Sequence, residues 1–380
     1  MLFNRIWLSS PHMGGDEITF INDAFKRNHI FPLGPNVEGF EEDLKRYTGT
    51  PYCTCLNSGT SAIHLALIIL GVGQGDEVIC SSFTFSASAN PILYQGAIPI
   101  FIDSEPETWN LQPETLREAI ADRISRGKKP KAIIAVHLYG MPARLKEILA
   151  IAMEYEIPVI EDAAESMGSA YEGRSTGTFG EIGIFSFNGN KIITTSGGGA
   201  LVSANEDYCK KAYFLSTQAR DAAPHYQHSH VGYNYRMSNI SAGIGRGQMR
   251  VLPERICQRR AIWNHYLDAL KEFEGISFQT EPDERFFSNH WLTTILLEPE
   301  QCNGVTREDL RQSLEARNIE SRPLWKPMHL QPVFQPFPAY INGVSEHLFN
   351  IGLCLPSSSF LTCDDLNRVV NIIGESILHA

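Results

Sequence analysis

The sequence predicts an α/β protein with a large, mostly parallel sheet domain and a smaller C-terminal α/β domain. Three observations lead there. Short apolar runs alternate with helical patterns through the first two thirds of the chain, the pattern changes near Met237, and 380 residues exceed what one small core needs. Residues 1–250 are assigned to the large domain and 251–380 to the small one.

The strand runs come in order. Asp76-Glu-Val-Ile-Cys80 follows a glycine-rich turn, then come Ile98-Pro-Ile-Phe-Ile-Asp103, Lys131-Ala-Ile-Ile-Ala-Val136 and Ile157-Pro-Val-Ile-Glu-Asp162. Helical patterns lie between them, as in Leu145 to Tyr155, where apolar residues recur at helical spacing. Near-continuous apolar strands separated by helices point to parallel strands covered on both faces. Residues 237–272 lack strand alternation and are rich in helix formers, which predicts one or two long helices. A strand is expected within residues 288–297, a helix over Thr306 to Arg317, and a last helix from Cys363 to His379.

Hydrophobic content is 43% and charged content 20%, as in ordinary globular proteins. With 32 basic and 43 acidic residues the net charge is −11, and no basic run stands out. A nucleic-acid or anionic-membrane partner therefore has no electrostatic support, and any phosphate must be held locally by backbone donors and one or two cations. The apolar stretch Ala62 to Leu70 carries His64 and falls short of the roughly 20 residues that span a bilayer. Met1 to Arg5 lacks a long apolar leader region, so a cytoplasmic protein is expected. Eight cysteines are scattered. Cys53 and Cys55 without a second pair are a weak metal signal, and Cys80 reads as a small buried hydrophobe, so no metal site is expected.

Three segments carry chemistry. In Leu56-Asn-Ser-Gly-Thr-Ser-Ala-Ile-His-Leu-Ala-Leu67 a turn of small residues opens an apolar helix. The N–H groups and hydroxyls of Ser58 to Ser61 would meet an anion at the helix N-terminus, though this segment alone fits a plain helix cap better. In Val159-Ile-Glu-Asp-Ala-Ala-Glu-Ser-Met167 two acids, Glu161 and Asp162, end a strand. The carboxyl ends of parallel strands are where ligands sit, and an acid there suits a cationic nitrogen, though a plain helix cap fits these residues at least as well. In Gly183 to Val202 a strand delivers Ser186, a loop delivers Lys191, and Gly197-Gly-Gly199 precedes another strand. A lysine among small and apolar residues is costly to bury as a cation, and desolvation makes its amine a nucleophile; an exposed surface lysine is the bland alternative.

Taken together, anion cradle, strand-end aspartate and loop lysine resemble, in order and spacing, the fold-type I pyridoxal-phosphate enzymes, and most closely the DegT/StrS sugar aminotransferase family. The resemblance covers nearly the whole chain and includes Pro32-Leu-Gly-Pro35, His137-Leu-Tyr-Gly140 and Gly232-Tyr-Asn-Tyr-Arg-Met-Ser-Asn239. Arg322-Pro-Leu-Trp-Lys-Pro-Met-His329 looks like the branch acting on UDP-linked 4-keto-6-deoxy-N-acetylhexosamines, as in bacillosamine and related exopolysaccharide pathways. Two departures stand out. Many members have Gly-Glu-Gly-Gly where this chain has Ser196-Gly-Gly-Gly199, and Gln or His where it has Glu165, which places an extra carboxylate beside the cofactor.

The resemblance implies pyridoxal 5′-phosphate as cofactor, Lys191 as the Schiff-base lysine and Asp162 as partner of the pyridine nitrogen. It implies phosphate contacts from Gly59, Thr60 and Ser186, ring stacking by Phe85, and Glu165 at the cofactor. Asn234 matches a position that reaches the phosphate of the neighbouring subunit, implying a homodimer with composite active sites; its bland role is to cap the helix beginning near Met237. Arg236, Arg322 and Lys326 are candidates for the nucleotide diphosphate, and Trp325 and His329 for the sugar site. The implied reaction is ping-pong transamination of a nucleotide-linked 4-keto sugar, with L-glutamate as amino donor. Two alternatives remain: a sugar dehydratase of the same fold, in which a histidine replaces the lysine, and a non-catalytic regulator, which should lose Lys191 or Asp162 or carry an added DNA-binding segment.

Overall fold

The computed structural model describes residues 4–378. Met1–Phe3 of the N-terminal segment read above, and His379, the expected last residue of the C-terminal helix, lie outside the described residues.

Two helices come first, α1 (Glu17–Lys26) and α2 (Pro35–Thr48). Pro35 sits in the first turn of α2, where no backbone donor is needed, and Gly49 ends that helix at φ 76°. Strands and helices then alternate as β1 (Tyr52–Leu56), α3 (Gly59–Ile69), β2 (Glu77–Ser81), α4 (Asn90–Tyr94), β3 (Ile98–Ile102), α5 (Pro113–Ser125), β4 (Ala132–Val136), α6 (Leu145–Glu154) and β5 (Val159–Asp162). Short strands β6 (Ala170–Tyr171) and β7 (Arg174–Ser175) lead to β8 (Ile182–Ser186), β9 (Gly199–Ser203) and α7 (Glu206–Ser216). After α8 (Asn239–Leu270) come β10 (Ile276–Phe278), β11 (Phe286–Phe287), β12 (Thr293–Leu297), α9 (Arg307–Ala316), β13 (Arg322–Pro323), β14 (Ala339–Tyr340), α10 (Val344–Ile351), β15 (Gly352–Leu355) and α11 (Cys363–Leu378).

The main sheet has eight strands in the order β1-β9-β8-β5-β4-β2-β3-β14. Neighbours from β8 to β14 are parallel, and β9 alone is inserted antiparallel, between β1 and β8. Successive residues of β4 serve opposite faces. Ile134 packs with Ile160, Ile182 and Leu201 beneath α3, whereas Ile133 packs with Ile79, Ile100 and Val159 beneath α5 and α6. Burying both faces is why these strands read as continuous apolar runs and not as alternating ones.

The expected long helical region is one helix. α8 spans 32 residues despite Pro253 in its interior. Its N-terminal half packs on α1 and α2 through glycines. A Cβ on Gly245 would lie 2.6 Å from the Phe40 ring, and one on Gly247 would lie 2.6 Å from the Glu17 backbone. Its C-terminal half supplies Ile262, Tyr266 and Leu270 to a second core with α9 and α11, over the antiparallel sheet β10-β12-β15-β13. Residue 250, where the division was expected, falls inside α8. The chain also returns to the first sheet, since β14 pairs with β3. Buried Asp103, just after β3, holds that return by accepting bonds from the N–H groups of Asn342 (3.0 Å), Gly343 (2.9 Å) and Ser345 (3.1 Å). Among the described residues no helix is long and apolar enough to cross a membrane.

Candidate active site

A cavity of about 330 Å³ opens at the carboxyl ends of β4, β5 and β8, beside the N-terminus of α3. This is the end of a parallel sheet where loops of different strands converge. Val136, Asp162 and Ser186 come from the strand ends, and Ser58, Gly59 and Thr60 from the helix start.

Ser58 caps α3 in an extended conformation, its Oγ accepting from Ser61 N at 3.0 Å. Ser61 Oγ donates in turn to Asn57 Oδ1 at 2.6 Å. The N–H groups of Gly59 and Thr60 belong to the first turn, where no carbonyl of the helix can reach them, and the helix dipole there favours an anion. Ser186 stands next to this turn: a Cβ on Gly59 would come within 3.1 Å of the Ser186 Cβ. The approach of β9 is closer still. A Cβ on Gly199 would overlap the Ser58 and Gly59 backbone, so only glycine lets β9 pass under the helix start.

The three acids of Glu161-Asp-Ala-Ala-Glu165 have separate environments. Glu161 is fully buried and faces away from the cavity. Its carboxylate accepts from Gly177 N (2.8 Å), Phe179 N (2.5 Å), Gly180 N (2.6 Å) and His137 Nε2 (3.0 Å). His137 Nδ1 accepts from Ala143 N at 3.0 Å, which leaves the ring hydrogen on Nε2 to point at Glu161. Asp162 lines the cavity, with Oδ2 accepting from Ser88 Oγ at 2.6 Å and Oδ1 from Ala164 N at 3.2 Å. Ser88 is itself held by Thr84 Oγ1 at 2.7 Å. Glu165 also lines the cavity, with Oε2 accepting from Tyr139 N at 2.7 Å.

Lys191 sits on the loop between β8 and β9, its N–H bonded to Asn188 O at 3.0 Å. The amine is sheltered: Nζ lies 3.4 Å from Glu165 Oε1 and 4.0 Å from the centroid of the Trp291 ring. Trp291 is fixed behind it. Its Nε1–H donates to Asn190 O (2.7 Å), and its carbonyl accepts from Arg259 Nη1 (2.8 Å). Arg259 Nη2 donates to Ser9 Oγ (2.9 Å), which donates to Asn190 O (2.6 Å). The lysine loop is thus clamped by α8 and by the N-terminal segment.

Of the residues singled out from sequence, Gly59, Thr60, Phe85, Asp162, Glu165, Ser186, Lys191 and Trp325 line this one cavity. Phe85 is half exposed at the mouth, facing Trp325 with ring centroids 5.2 Å apart. The others lie elsewhere. Arg236 is buried on Glu41 (2.5 Å) and Cys55 O (2.9 Å), so its charge is already matched inside the fold. Arg322 pairs with Glu320 at 2.8 Å, and Lys326 is exposed beyond the mouth. His329 Nδ1 is bonded to Ser82 Oγ at 2.7 Å. Asn234 is exposed and takes a bond from Gln218 Nε2 at 3.2 Å, while Ser238, not Asn234, caps α8. Sequence reasoning missed Ser88, Trp291, Asn188 and Asn190. Trp291, a large aromatic in the polar run Ser288-Asn-His-Trp291, was the one with a visible signal.

Glu161 gives this scaffold an acid sensitivity. Burial pushes its carboxyl up, but the His137 bond and the amide donors outweigh burial and hold it below the usual carboxylate range. A lowered folded-state value means stability that is present above the unfolded value and lost as pH falls through the folded one. Wild-type stability should therefore drop as pH falls from about 4.3, whereas Glu161→Gln should be less stable by roughly 3 kcal/mol at pH 7 and lose that part of the acid slope. Urea midpoints of both proteins from pH 3 to pH 7 check this; parallel curves would show that Glu161 does not titrate with folding.

Comparison with known proteins agrees with this geometry. Residues 11–374 match the model of the DegT/DnrJ/EryC1/StrS aminotransferase family. EpsN of Bacillus subtilis (strain 168), named as a pyridoxal phosphate-dependent aminotransferase, is 51% identical over 98% of this chain and 96% of its own length. GDP-perosamine synthase of Caulobacter vibrioides is 35% identical over 98% of this chain and 99% of its own. A DegT DnrJ EryC1 StrS aminotransferase from Brucella abortus superposes with a TM-score of 0.88 at 29% identity, covering 95% of both chains. The chain belongs to the DegT/DnrJ/EryC1/StrS aminotransferase family, and it is a pyridoxal phosphate-dependent enzyme.

Proposed function

We propose that the enzyme transfers an amino group from L-glutamate to a UDP-linked 4-keto-6-deoxy-N-acetylhexosamine, giving the 4-amino sugar. The observation that carries the reading is that a lysine amine, a strand-end carboxylate and a helix N-terminus open into one cavity. The residues fit the cofactor. Gly59 and Thr60 N–H groups and the Ser186 hydroxyl would hold its phosphate, Asp162 its ring nitrogen, and Lys191 its aldehyde carbon. Pyridoxal phosphate supplies, when bound, an electron-accepting ring that makes an adjacent C–H acidic.

The chain's own groups do the rest. Asp162, fixed by Ser88 and Ala164, holds its side chain where the ring nitrogen would sit. Lys191 Nζ would take a proton from the donor's α-carbon and pass it to the cofactor's C4′ carbon, and in the second half-reaction would carry a proton from that carbon to C4 of the sugar, acting as base and then acid in each half. Trp325 lines the cavity with its ring 5.2 Å from Phe85, and the two rings would flank the sugar at the mouth. Lys326, exposed beside it, is the cation left for the diphosphate, because Arg236 and Arg322 are engaged with Glu41 and Glu320. The sequence stretch Arg322–His329 supports the UDP branch, and a relative named GDP-perosamine synthase supports nucleotide-linked sugars as a class. Lys191 stands where the dehydratases of this fold carry histidine, which favours transamination.

The same reading includes a homodimer with composite sites. Asn234 lies outside its own cavity, and Phe25, Phe31, Leu33 and Val231 are exposed apolar residues that a second copy would cover. Sedimentation of the holoenzyme at a single-chain mass would overturn the dimer.

Two experiments test the chemistry. Borohydride should fix the cofactor to Lys191, and Lys191→Ala should lose turnover by about 10⁴-fold while remaining folded by circular dichroism; a label on another lysine refutes the assignment. Incubation with UDP-, GDP- and dTDP-linked 4-keto sugars and glutamate, read by NMR, should give a 4-amino sugar with the UDP substrate. Turnover of the GDP or dTDP substrate alone would overturn the UDP assignment and leave transamination standing.

A further inference from the structure

We infer that Glu165 is a positioning residue for Lys191, holding the lysine amine against the Trp291 ring whenever that amine is free. The inference rests on the reading of Lys191 as the lysine that bonds the cofactor.

Three contacts define the arrangement. Glu165 Oε1 lies 3.4 Å from Lys191 Nζ, and that nitrogen lies 4.0 Å from the Trp291 ring centroid, so carboxylate and ring together draw the amine to one place on the cavity wall. Glu165 is fixed by its other oxygen, which takes the Tyr139 N–H at 2.7 Å. Tyr139 in turn is stacked between Trp291 and Trp325, at 6.5 and 6.2 Å. Both side chains are nearly enclosed, Lys191 at 12% exposure and Glu165 at 5%, so the pair is little screened by solvent.

The groups facing the pair are few. Asp162 lies along the same strand end, Tyr139 donates from the loop after β4, and Cys354 comes from β15. None is a second cation, so Lys191 is the one positive partner of Glu165 at the cavity wall among the described residues. Burial pushes the Glu165 carboxyl above the usual range, with Asp162 adding to it and Lys191 opposing it. When Lys191 is engaged with the cofactor, Glu165 keeps its bond to Tyr139 N–H and marks the place to which the amine returns. A lysine that must act as base and acid at defined atoms gains from having one resting position instead of many rotamers.

Glu165→Gln tests this, because the amide keeps an acceptor for Tyr139 N–H and removes only the charge. Both proteins are loaded with pyridoxamine phosphate, which leaves Lys191 free, and treated with an amine-acylating reagent at pH 8. Lys191 in the variant should be acylated about tenfold faster, since the charge-assisted hydrogen bond that keeps its amine at the cavity wall is lost. In steady state kcat should fall while KM for both substrates stays unchanged, and Glu165→Asp should recover part of kcat. If Glu165→Gln does not fold, Glu165→Asp carries the test, with intermediate acylation expected. Equal acylation rates overturn the inference, as does a rise in KM with kcat unchanged, which would make Glu165 a substrate contact. Borohydride fixation, run beforehand on the pyridoxal phosphate form, separates the two claims. Fixation at another lysine removes the Lys191 reading and this inference with it, whereas fixation at Lys191 with unchanged acylation removes only the role of Glu165.

Discussion

The site depends on how closely β9 can pass beneath the first turn of α3. Gly199 has no Cβ to set against the Ser58 and Gly59 backbone, and that contact fixes the first turn of α3 relative to the loop that carries Lys191. β9 is also the reversed strand of the main sheet, and its pairing with both β1 and β8 brings the strand that leads into α3 close to the strand that ends at Ser186. A side chain at residue 199 would push the helix start away from Ser186 and open the cradle. Close packing transmits such a shift because interiors have little room to absorb it.

Three acids within five residues show how one strand end divides labour. Strand alternation sends Glu161 into the interior, where backbone amides and His137 satisfy it, and turns Asp162 toward the cavity. The turn that follows brings Glu165 back to the same cavity from the side, next to Lys191. The buried acid stabilises the turn, and the other two face the cavity. Their separation follows from backbone geometry, since the residue types are nearly the same.

Much of this was legible in sequence. The apolar runs marked β2 to β5, and the small-residue turn, Asp162 and Lys191 converge on one cavity, because residues at the ends of parallel strands come together once the strand order is right. What was not legible depends on contacts distant in sequence. Arg236 is matched by Glu41, 195 residues away, and nothing local announces that pairing. Ser88 holds Asp162 from a short 3₁₀ turn with no periodic signal. Trp291 backs Lys191 only because Arg259 and Asn190 hold it there. The length of α8 was masked by Pro253 and by glycines that prove to be packing positions against α1 and α2.

The Asp162 carboxylate, held by Ser88 at the end of β5, would sustain the electron-accepting state of the cofactor. Single-turnover consumption of glutamate by Asp162→Asn, loaded with pyridoxal phosphate and checked for occupancy by absorbance, addresses it directly. Asparagine keeps the shape and removes the charge. The expected result is bound cofactor with glutamate consumed at least about tenfold more slowly, since one pKa unit of lost stabilisation at the ring nitrogen corresponds to about 1.4 kcal/mol. Full occupancy with a rate near that of wild type would contradict it.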